Sequence, residues 1–217
     1  SLGKNKKRNK LFSAQAKEAG VPLVYCNNVG IQNNGKNVFT YDGFSTAYTA
    51  DGTISASAEM YEDTILECTW DTEAGHFVGE GSIAALPQEP ESIYKSLRYG
   101  TEKFLHQCGI KKMTIGLSGG TDSAITAAMY VDILGAENVL LINLPSVYNS
   151  ETTKNIAYNL AKNLGANYAI IPISHSCEHT EEQLTSTSIT NMASGSTFNL
   201  ELSNIVKENI QARDRGA

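Results

Sequence analysis

The spacing of hydrophobic and polar residues changes halfway along the 217-residue chain. In the first half, an amphipathic segment over residues 6–19 is followed by Gly20 and predicts a helix. Residues 21–27 predict a buried strand, and residues 33–37 predict a turn between strands. Residues 38–60 predict two strands around an Asp51–Gly52 turn, and a further strand is predicted over 64–70.

The second half alternates between helix-like and strand-like segments. Helices are predicted over 91–109, 122–135, 150–165 and 199–215, and strands over 113–117, 138–144 and 167–173. Residues 185–198 predict a mobile polar loop, and residues 72–90 contain Gly and Pro without periodicity and predict a linker. The β-α-β-α-β order predicts an α/β fold with a parallel sheet and helices on both faces. Ligands bind such a sheet at the carboxyl ends of its strands, where the strand order reverses.

Composition and charge restrict the possible functions. The chain is 41% hydrophobic and 18% charged, which is typical of a soluble globular protein. Its net charge of −6 argues against nucleic-acid binding, and the basic cluster at residues 3–10 is interpreted as a solvated helix start. No apolar run is long enough for a membrane span, so no membrane partner is expected. The four cysteines fit no disulfide or zinc pattern, which favours a reduced, cytoplasmic protein.

Both ends of the sequence predict a piece of a longer polypeptide. The first residue is Ser1 rather than Met, and the sequence finishes at 213–217 without a helix stop signal.

The segment that carries the clearest chemistry is GLSGGTDS, between a predicted strand and a predicted helix. Two adjacent glycines allow the backbone to turn sharply and approach a ligand, and successive N–H groups then bind anionic oxygens. The positive end of the helix dipole adds to this attraction. We therefore predict ATP binding by Gly116, Leu117, Ser118, Gly119, Gly120, Thr121, Asp122 and Ser123.

Asp122 would repel phosphate on its own, but Mg²⁺ can bridge a carboxylate and phosphate oxygens. Asp122 is therefore the predicted Mg²⁺ ligand. The segment is not a Walker loop, because the Lys of that motif is absent. The alternative interpretation is a glycine turn that only joins a strand to a helix.

The motif SGGTDS resembles the signature of the N-type ATP pyrophosphatases, which cleave ATP between the α and β phosphates. LPSVYNSETT (144–153) and KENIQARDRG (207–216) are similar to two later segments of NAD synthetases, with Leu144 in place of the common Met. The resemblance covers residues 91–217 and implies a Rossmann-like domain. It also implies adenine or ribose contacts by Leu144, Pro145 and Ser146, and deamido-NAD contacts by Asn209 and Arg213. For Leu144, the end of a core strand is an equally good interpretation.

Residues 16–45 resemble the carboxyl-terminal half of a nitrilase-like glutaminase, with Tyr41 where Phe is usual. This resemblance implies a partial αββα sandwich over residues 1–72, a linker over 73–90, and the amino-terminal part of a synthetase domain over 91–217. The Glu, Lys and nucleophilic Cys of such glutaminases would lie upstream of this chain. Cys26 is interpreted as a small buried hydrophobic residue rather than a nucleophile.

The combined resemblance is to glutamine-dependent NAD synthetases. It implies a cytoplasmic ligase of NAD biosynthesis that amidates deamido-NAD through an adenylated intermediate, using ATP, Mg²⁺ and ammonia from glutamine. It also implies a homo-oligomer, such as a dimer, formed through the synthetase domain. Three alternatives remain: a tRNA-thiolating enzyme with the same loop, a GMP synthetase-like enzyme, and a non-catalytic nucleotide-binding or dimerisation module. Acidic charge disfavours the first, and different downstream motifs disfavour the second.

Overall fold

The computed structural model describes residues 3–78, 83–146 and 151–216. The chain folds into two compact units, Ser1–Ile110 and Lys111–Ala217. Within the described ranges, no helix combines the length and apolar character that a membrane crossing requires. Part of the predicted linker (79–82) and part of the predicted LPSVYNSETT segment (147–150) lie outside the described residues.

The first unit combines two helices with short antiparallel strands. Strands β1, β4 and β5 form one sheet in the order β1-β4-β5, while β2 pairs with β3 and β6 pairs with β7. Its elements are α1 (Asn5–Ala19), β1 (Leu23–Tyr25), β2 (Val29–Asn33), β3 (Val38–Asp42), β4 (Thr46–Tyr48), β5 (Ile54–Ser57), β6 (Thr69–Asp71), β7 (His76–Val78) and α2 (Glu91–Gln107).

The helix end and the turns predicted for the first half are confirmed. Gly20 ends α1 in the left-handed region, with φ 64°. In the β4–β5 hairpin, Gly52 has φ 87°, and the Thr53 N–H donates to Asp51 Oδ1 at 2.9 Å. In the β2–β3 turn, Asn34 Oδ1 accepts a hydrogen bond from the Asn37 N–H at 2.8 Å. These side chains satisfy the backbone groups that the turns leave unpaired.

A buried ion pair joins α1 to β3. Arg8 donates to both carboxylate oxygens of Asp42, at 3.1 and 2.9 Å, and the Asp42 side chain is fully buried. Asn27 Nδ2 donates to the same carboxylate at 3.1 Å. Burial by itself would raise the pKa of Asp42, but hydrogen bonds and positive charge, including those of Arg8, outweigh it and lower the pKa.

Two predictions for the first half are wrong. Residues 64–68 form no strand, and Ile65 is 88% exposed, so the apolar run there has no sheet to join. Strand β1 is only partly buried, with Val24 54% exposed, and Cys26 is exposed rather than buried. The predicted linker includes β7 of the β6–β7 hairpin, whose turn is closed by Asp71 Oδ1 accepting from Glu73 N–H at 2.8 Å, and the linker itself stays a prediction.

The second unit is built on a three-stranded parallel sheet in the order β10-β9-β8. The β-α-β-α-β prediction is therefore confirmed. Its elements are β8 (Met113–Gly116), α3 (Thr121–Leu134), β9 (Val139–Asn143), α4 (Glu151–Leu164), β10 (Asn167–Ile170), α5 (Ser174–Ser186), β11 (Ile189–Thr190), β12 (Thr197–Phe198) and α6 (Asn204–Asp214), with a short 3₁₀ turn at Ala136–Asn138.

The two crossover helices of this sheet pack on the same face. Ala127 of α3 and Ala157 of α4 join Leu141 of β9 in one fully buried cluster. The strands follow one another in sequence order, so two right-handed crossovers must lie on one side. Helices α3 and α4 thus cover one face, while helices on the other face stay a prediction, and the described strands show no reversal of order.

The segment after β10 also differs from its prediction. Residues 185–198 contain the end of α5 and the β11–β12 hairpin instead of an irregular loop. Asn191 Oδ1 accepts hydrogen bonds from the N–H groups of Ala193 (2.9 Å) and Ser194 (3.1 Å), and Gly195 takes φ 73°. An Asx turn thus closes a hairpin whose strands are too short to show an alternating pattern.

We predict that Asp42→Asn lowers the free energy of unfolding of the first unit by about 3–5 kcal/mol, because it leaves the Arg8 charge buried without its partner. Denaturant unfolding followed by the fluorescence of Trp70, the single tryptophan of the chain, measures this. Glu91→Gln is the matched control, because Glu91 pairs with Lys95 on an exposed surface and its loss costs about 1 kcal/mol or less. Equal losses of unfolding free energy in the two variants would contradict the claim that burial makes the Arg8–Asp42 pair important for stability.

The lowered pKa of Asp42 also predicts the pH dependence of this unit. A carboxyl whose pKa is lower in the folded chain stabilises folding above its unfolded pKa of about 3.9. This stabilisation decreases as the pH falls through the folded pKa, because the unfolded chain binds more protons. The difference in unfolding free energy between wild type and Asp42→Asn should therefore shrink between pH 6 and pH 3. A constant difference over that range would refute the lowered pKa of Asp42 in the folded chain.

Candidate functional site

The predicted phosphate loop joins the end of β8 to the start of α3. Leu117 is buried, and its N–H donates to the Ile142 carbonyl at 2.7 Å, which extends the β8–β9 pairing by one residue. Asn143 Nδ2 donates to the Leu117 carbonyl at 2.8 Å from a side chain that is itself buried. The loop therefore starts from a fixed position at the carboxyl end of the sheet.

Gly119 makes the turn that sends the chain into α3. Its φ of 84° lies in the left-handed region, and a Cβ at this position would overlap the carbonyl oxygen of Thr153 on α4. Gly120 has φ −88°, and a Cβ there would lie 3.3 Å from Ser118 Oγ. Only the first glycine is thus required by both its backbone angle and its close neighbour.

Two serine hydroxyls close the loop from within. Ser118 Oγ lies 3.0 Å from Ser123 Oγ and accepts a hydrogen bond from the Gly120 N–H at 3.2 Å. Ser123 Oγ lies 3.0 Å from the Gly120 carbonyl, to which it can donate. These bonds hold residues 118–123 in a compact turn, so its donors are positioned before any ligand binds.

The first turn of α3 presents donors and one carboxylate. N–H groups of a first helical turn have no acceptor within the helix, and in α3 they belong to Thr121, Asp122 and Ser123. The Asp122 side chain is exposed, and within the described ranges no basic side chain forms an ion pair with it. The helix end therefore combines anion-binding N–H groups with an accessible carboxylate.

A cavity of about 370 Å³ opens at the carboxyl ends of β8 and β9. This is the place where the fold class predicts a ligand. The described residues that line it are Gly116, Leu117, Ser118, Ile142, Asn143, Leu144 and Arg215. Four predicted site residues are thus brought together: Gly116, Leu117, Ser118 and Leu144.

A second cavity, of about 200 Å³, contains one predicted site residue, Ser146, in its lining. It is lined by Ser146, Ser174, Cys177, Glu178, Glu181, Lys207 and Gln211. Gln211 is 7% exposed, and Lys207 forms an ion pair with Glu181 at 3.0 Å. Burial raises the pKa of the Cys177 thiol, an effect to which the neighbouring Asp214 adds, so this thiol is a poor nucleophile.

The remaining predicted residues do not line either cavity. Pro145 is buried, while Asn209 and Arg213 are exposed on α6. Sequence reasoning missed Asn143, Gln211 and Arg215. The motif KENIQARDRG contained a signal for Gln211 and Arg215. These two residues are four positions apart, and such residues lie on one face of a helix.

Comparison with known proteins finds a family match in the part of the chain that contains both cavities. The family profile described as NAD synthase matches residues 93–217, which is more than half of the chain. A glutamine-dependent NAD(+) synthetase of Synechocystis sp. is 39% identical over 174 residues, covering 80% of this chain and 30% of the relative. One from Thermotoga maritima is 29% identical over an alignment 248 positions long, covering 99% of this chain and 40% of the relative.

A solved structure is similar along the whole chain. The glutamine-dependent NAD+ synthetase of Acinetobacter baumannii, determined in complex with ADP, superposes with a TM-score of 0.85 at 28% identity. The match covers 100% of this chain and 38% of that protein, so the chain spans about 30–40% of the length of these relatives. The match of the family profile, the sequence relatives and this structure together establish that the chain belongs to the NAD synthase family.

Proposed function

We propose that the full-length protein carrying this chain is a glutamine-dependent ligase that converts deamido-NAD to NAD at the expense of ATP. The observation that carries the proposal is the preformed loop 118–123, whose Ser118 lines a cavity at the carboxyl ends of two parallel strands, in a chain of the NAD synthase family. The ADP complex of the Acinetobacter baumannii relative supports nucleotide binding by this fold.

In this proposal ATP binds with its phosphates against residues 116–123. The first-turn N–H groups of α3 and the hydroxyls of Ser118 and Ser123 supply hydrogen-bond donors to the phosphate oxygens. Leu144 supplies an apolar wall of the same cavity, where the adenine or ribose would lie. Pro145 and Ser146 continue that strand end and are the further candidates for nucleoside contact.

The residues present fit one Mg²⁺ ion bound together with the nucleotide. No group of three or more His, Cys, Asp or Glu side chains within the described ranges could hold a metal by itself. Mg²⁺ in nucleotide sites is usually held by one or two carboxylates and by phosphate oxygens, and the exposed Asp122 carboxylate is such a ligand. The ion would neutralise charge on the phosphates.

The proposed reaction has two steps. The nicotinate carboxylate of deamido-NAD attacks the α phosphate of ATP, and pyrophosphate leaves. Ammonia, released from glutamine elsewhere in the full-length protein, then attacks the acyl adenylate and displaces AMP. The loop contributes by holding its donors in place before charge develops, so catalysis is mainly positioning and electrostatic stabilisation.

The exposed face of α6 is the proposed site for the second substrate and for assembly. Asn209 and Arg213 are four residues apart, so both can contact deamido-NAD from one face of the helix. Ile205 is 71% exposed on the same helix, which supports burial of this region in a homo-oligomer.

We further propose that residues 1–72 are part of a nitrilase-like glutaminase, followed by a linker (73–90) and the synthetase part (91–217). The family profile begins at residue 93, which supports the last boundary, although α2 packs within the first compact unit. The four cysteines, Cys26, Cys68, Cys108 and Cys177, are free thiols, which supports a reducing compartment such as the cytoplasm.

Pyrophosphate release by the full-length protein tests the function. We expect release from ATP only when deamido-NAD and Mg²⁺ are present, with NAD formed in equal amount when ammonia or glutamine is added. ATP binding without turnover would instead support a non-catalytic nucleotide-binding module. Turnover with a tRNA or with xanthosine monophosphate in place of deamido-NAD would support another N-type ATP pyrophosphatase.

Replacing the proposed Mg²⁺ ligand should abolish turnover while leaving the fold intact. We predict that Asp122→Ala lowers Mg²⁺-dependent pyrophosphate release by roughly 100-fold or more, because the phosphates lose the ion that neutralises them. Since Asp122 is exposed, circular dichroism and the melting temperature should not change. Glu182→Gln, which removes an exposed carboxylate of α5, is the control. Wild-type turnover of Asp122→Ala at every Mg²⁺ concentration would disprove the metal role.

A further inference from the structure

The turn between β2 and β3 contains a dipeptide whose chemistry the proposed function does not use. The sequence Asn-Gly occurs in this chain only at Asn34–Gly35. We propose that Asn34 is a site of spontaneous deamidation, in which the backbone nitrogen of Gly35 attacks the side-chain amide of Asn34. The product is a mixture of aspartate and isoaspartate at position 34. The inference is independent of nucleotide binding, because it concerns a turn of the first unit.

The reaction consumes one water molecule and releases one molecule of ammonia. Hydroxide removes the proton from the Gly35 N–H, and the nitrogen forms a bond to Cγ of Asn34. The Cγ–Nδ2 bond then breaks, the departing nitrogen takes a proton from water, and ammonia leaves behind a cyclic succinimide. Water opens this ring at either carbonyl carbon, which gives aspartate or isoaspartate. Both products carry one more negative charge than asparagine does.

The exposure of the turn leaves room for this reaction. All residues from 32 to 39 are exposed, so water and hydroxide reach both reacting atoms. Gly35 has φ 84°, and a Cβ at this position would meet no atom within 4 Å. Because glycine has no side chain, nothing attached to its own Cα hinders the approach of its nitrogen to Asn34.

The hydrogen bonds of the turn polarise the group that is attacked. Asn34 Oδ1 accepts hydrogen bonds from the N–H groups of Lys36 at 3.1 Å and Asn37 at 2.8 Å. Negative charge develops on this oxygen as Cγ is attacked, and two fixed N–H donors stabilise such charge in the manner of an oxyanion hole. One contact opposes the reaction: the Gly35 N–H donates to Asn33 Oδ1 at 2.8 Å, and this bond is lost when the nitrogen is deprotonated.

The two Asp-Gly pairs of the chain, which can form the same succinimide, are less reactive in this structure. The Asp42 side chain is fully buried in its ion pair with Arg8. Asp51 is exposed, but hydrogen bonds from Thr49 and Thr53 lower its pKa to about 2, so its carboxyl group stays ionised at neutral pH. An ionised carboxylate resists nucleophilic attack. The structure therefore favours Asn34 among the three candidate positions.

The β11–β12 turn supplies a matched internal control. Asn191 is also exposed, and its Oδ1 also accepts hydrogen bonds from two backbone N–H groups, those of Ala193 and Ser194. The residue that follows it is Met192, whose side chain crowds the attacking nitrogen. The two turns thus share the polarised amide and differ in the residue that supplies the nucleophile.

Peptide mapping by mass spectrometry tests the inference on the full-length protein, incubated at neutral and at mildly alkaline pH. We expect Asn34 to deamidate about tenfold faster than Asn191 or more, which corresponds to a barrier lower by about 1.4 kcal/mol. The rate should rise with hydroxide concentration. Met192→Gly should accelerate the reaction at Asn191 about tenfold, because it creates a second Asn-Gly pair.

Two substitutions in the β2–β3 turn should act in opposite directions. Gly35→Ala should slow deamidation about tenfold or more, because its methyl group crowds the nitrogen. Asn33→Ala should accelerate it about fivefold, since it removes a hydrogen bond of about 1 kcal/mol that opposes deprotonation. Asn34→Ser, which has no amide to lose, is the control for the mass signal.

The outcomes that would overturn the inference are distinct from a failure of the proposed function. An intact Asn34 amide after prolonged incubation at mildly alkaline pH would overturn it. Equal rates at Asn34 and Asn191 would do the same. A synthetic peptide of residues 31–39 is the unfolded reference, and the folded chain should react at least as fast. A slower reaction in the folded chain would show that the turn protects Asn34, against the inference. Pyrophosphate release is measured separately and decides only the proposed function.

Discussion

The reversal of the chain at Gly119 is the constraint on which the site of the second unit depends. Its left-handed backbone and its approach to the Thr153 carbonyl leave no room for a side chain. This close approach lets the loop fold against α4, and α3 then starts five residues after the end of β8. A larger residue would move the start of the helix away from this position.

The chemistry of the loop follows from what its backbone provides and what its side chains lack. N–H groups and two hydroxyls can orient phosphate oxygens, but they carry no net charge. Asp122 adds negative charge, so phosphate binding at this loop would need a cation. The proposed Mg²⁺, held by Asp122 and by phosphate oxygens, would supply that positive charge. A negatively charged chain could in this way bind a negatively charged nucleotide.

The periodicity of the sequence predicted the strands and helices that hold the loop. It did not predict the short hairpins of the two units, and the reason is physical. The strands β8 and β9 and the helices α3 and α4 are long enough for their periodicity to show, and glycines mark the ends of both helices. The β6–β7 and β11–β12 hairpins have strands of two or three residues, too short for alternation to be recognised. The burial of Cys26 was predicted wrongly because a strand's own sequence does not tell which of its residues another layer covers.

Helix α6 shows most clearly where sequence reasoning stops. The motif KENIQARDRG marks this helix as similar to a segment of NAD synthetases, but the positions of its residues depend on which face packs. Burial of Ile210 and Gln211 fixes that face, and it leaves Asn209 and Arg213 exposed while Arg215 lines the cavity at the carboxyl ends of β8 and β9. The two arginines differ in this way because residues two positions apart in a helix point in directions about 200° apart. A motif read as letters therefore names the helix, and only the packing of its buried face tells which of its residues a ligand could reach.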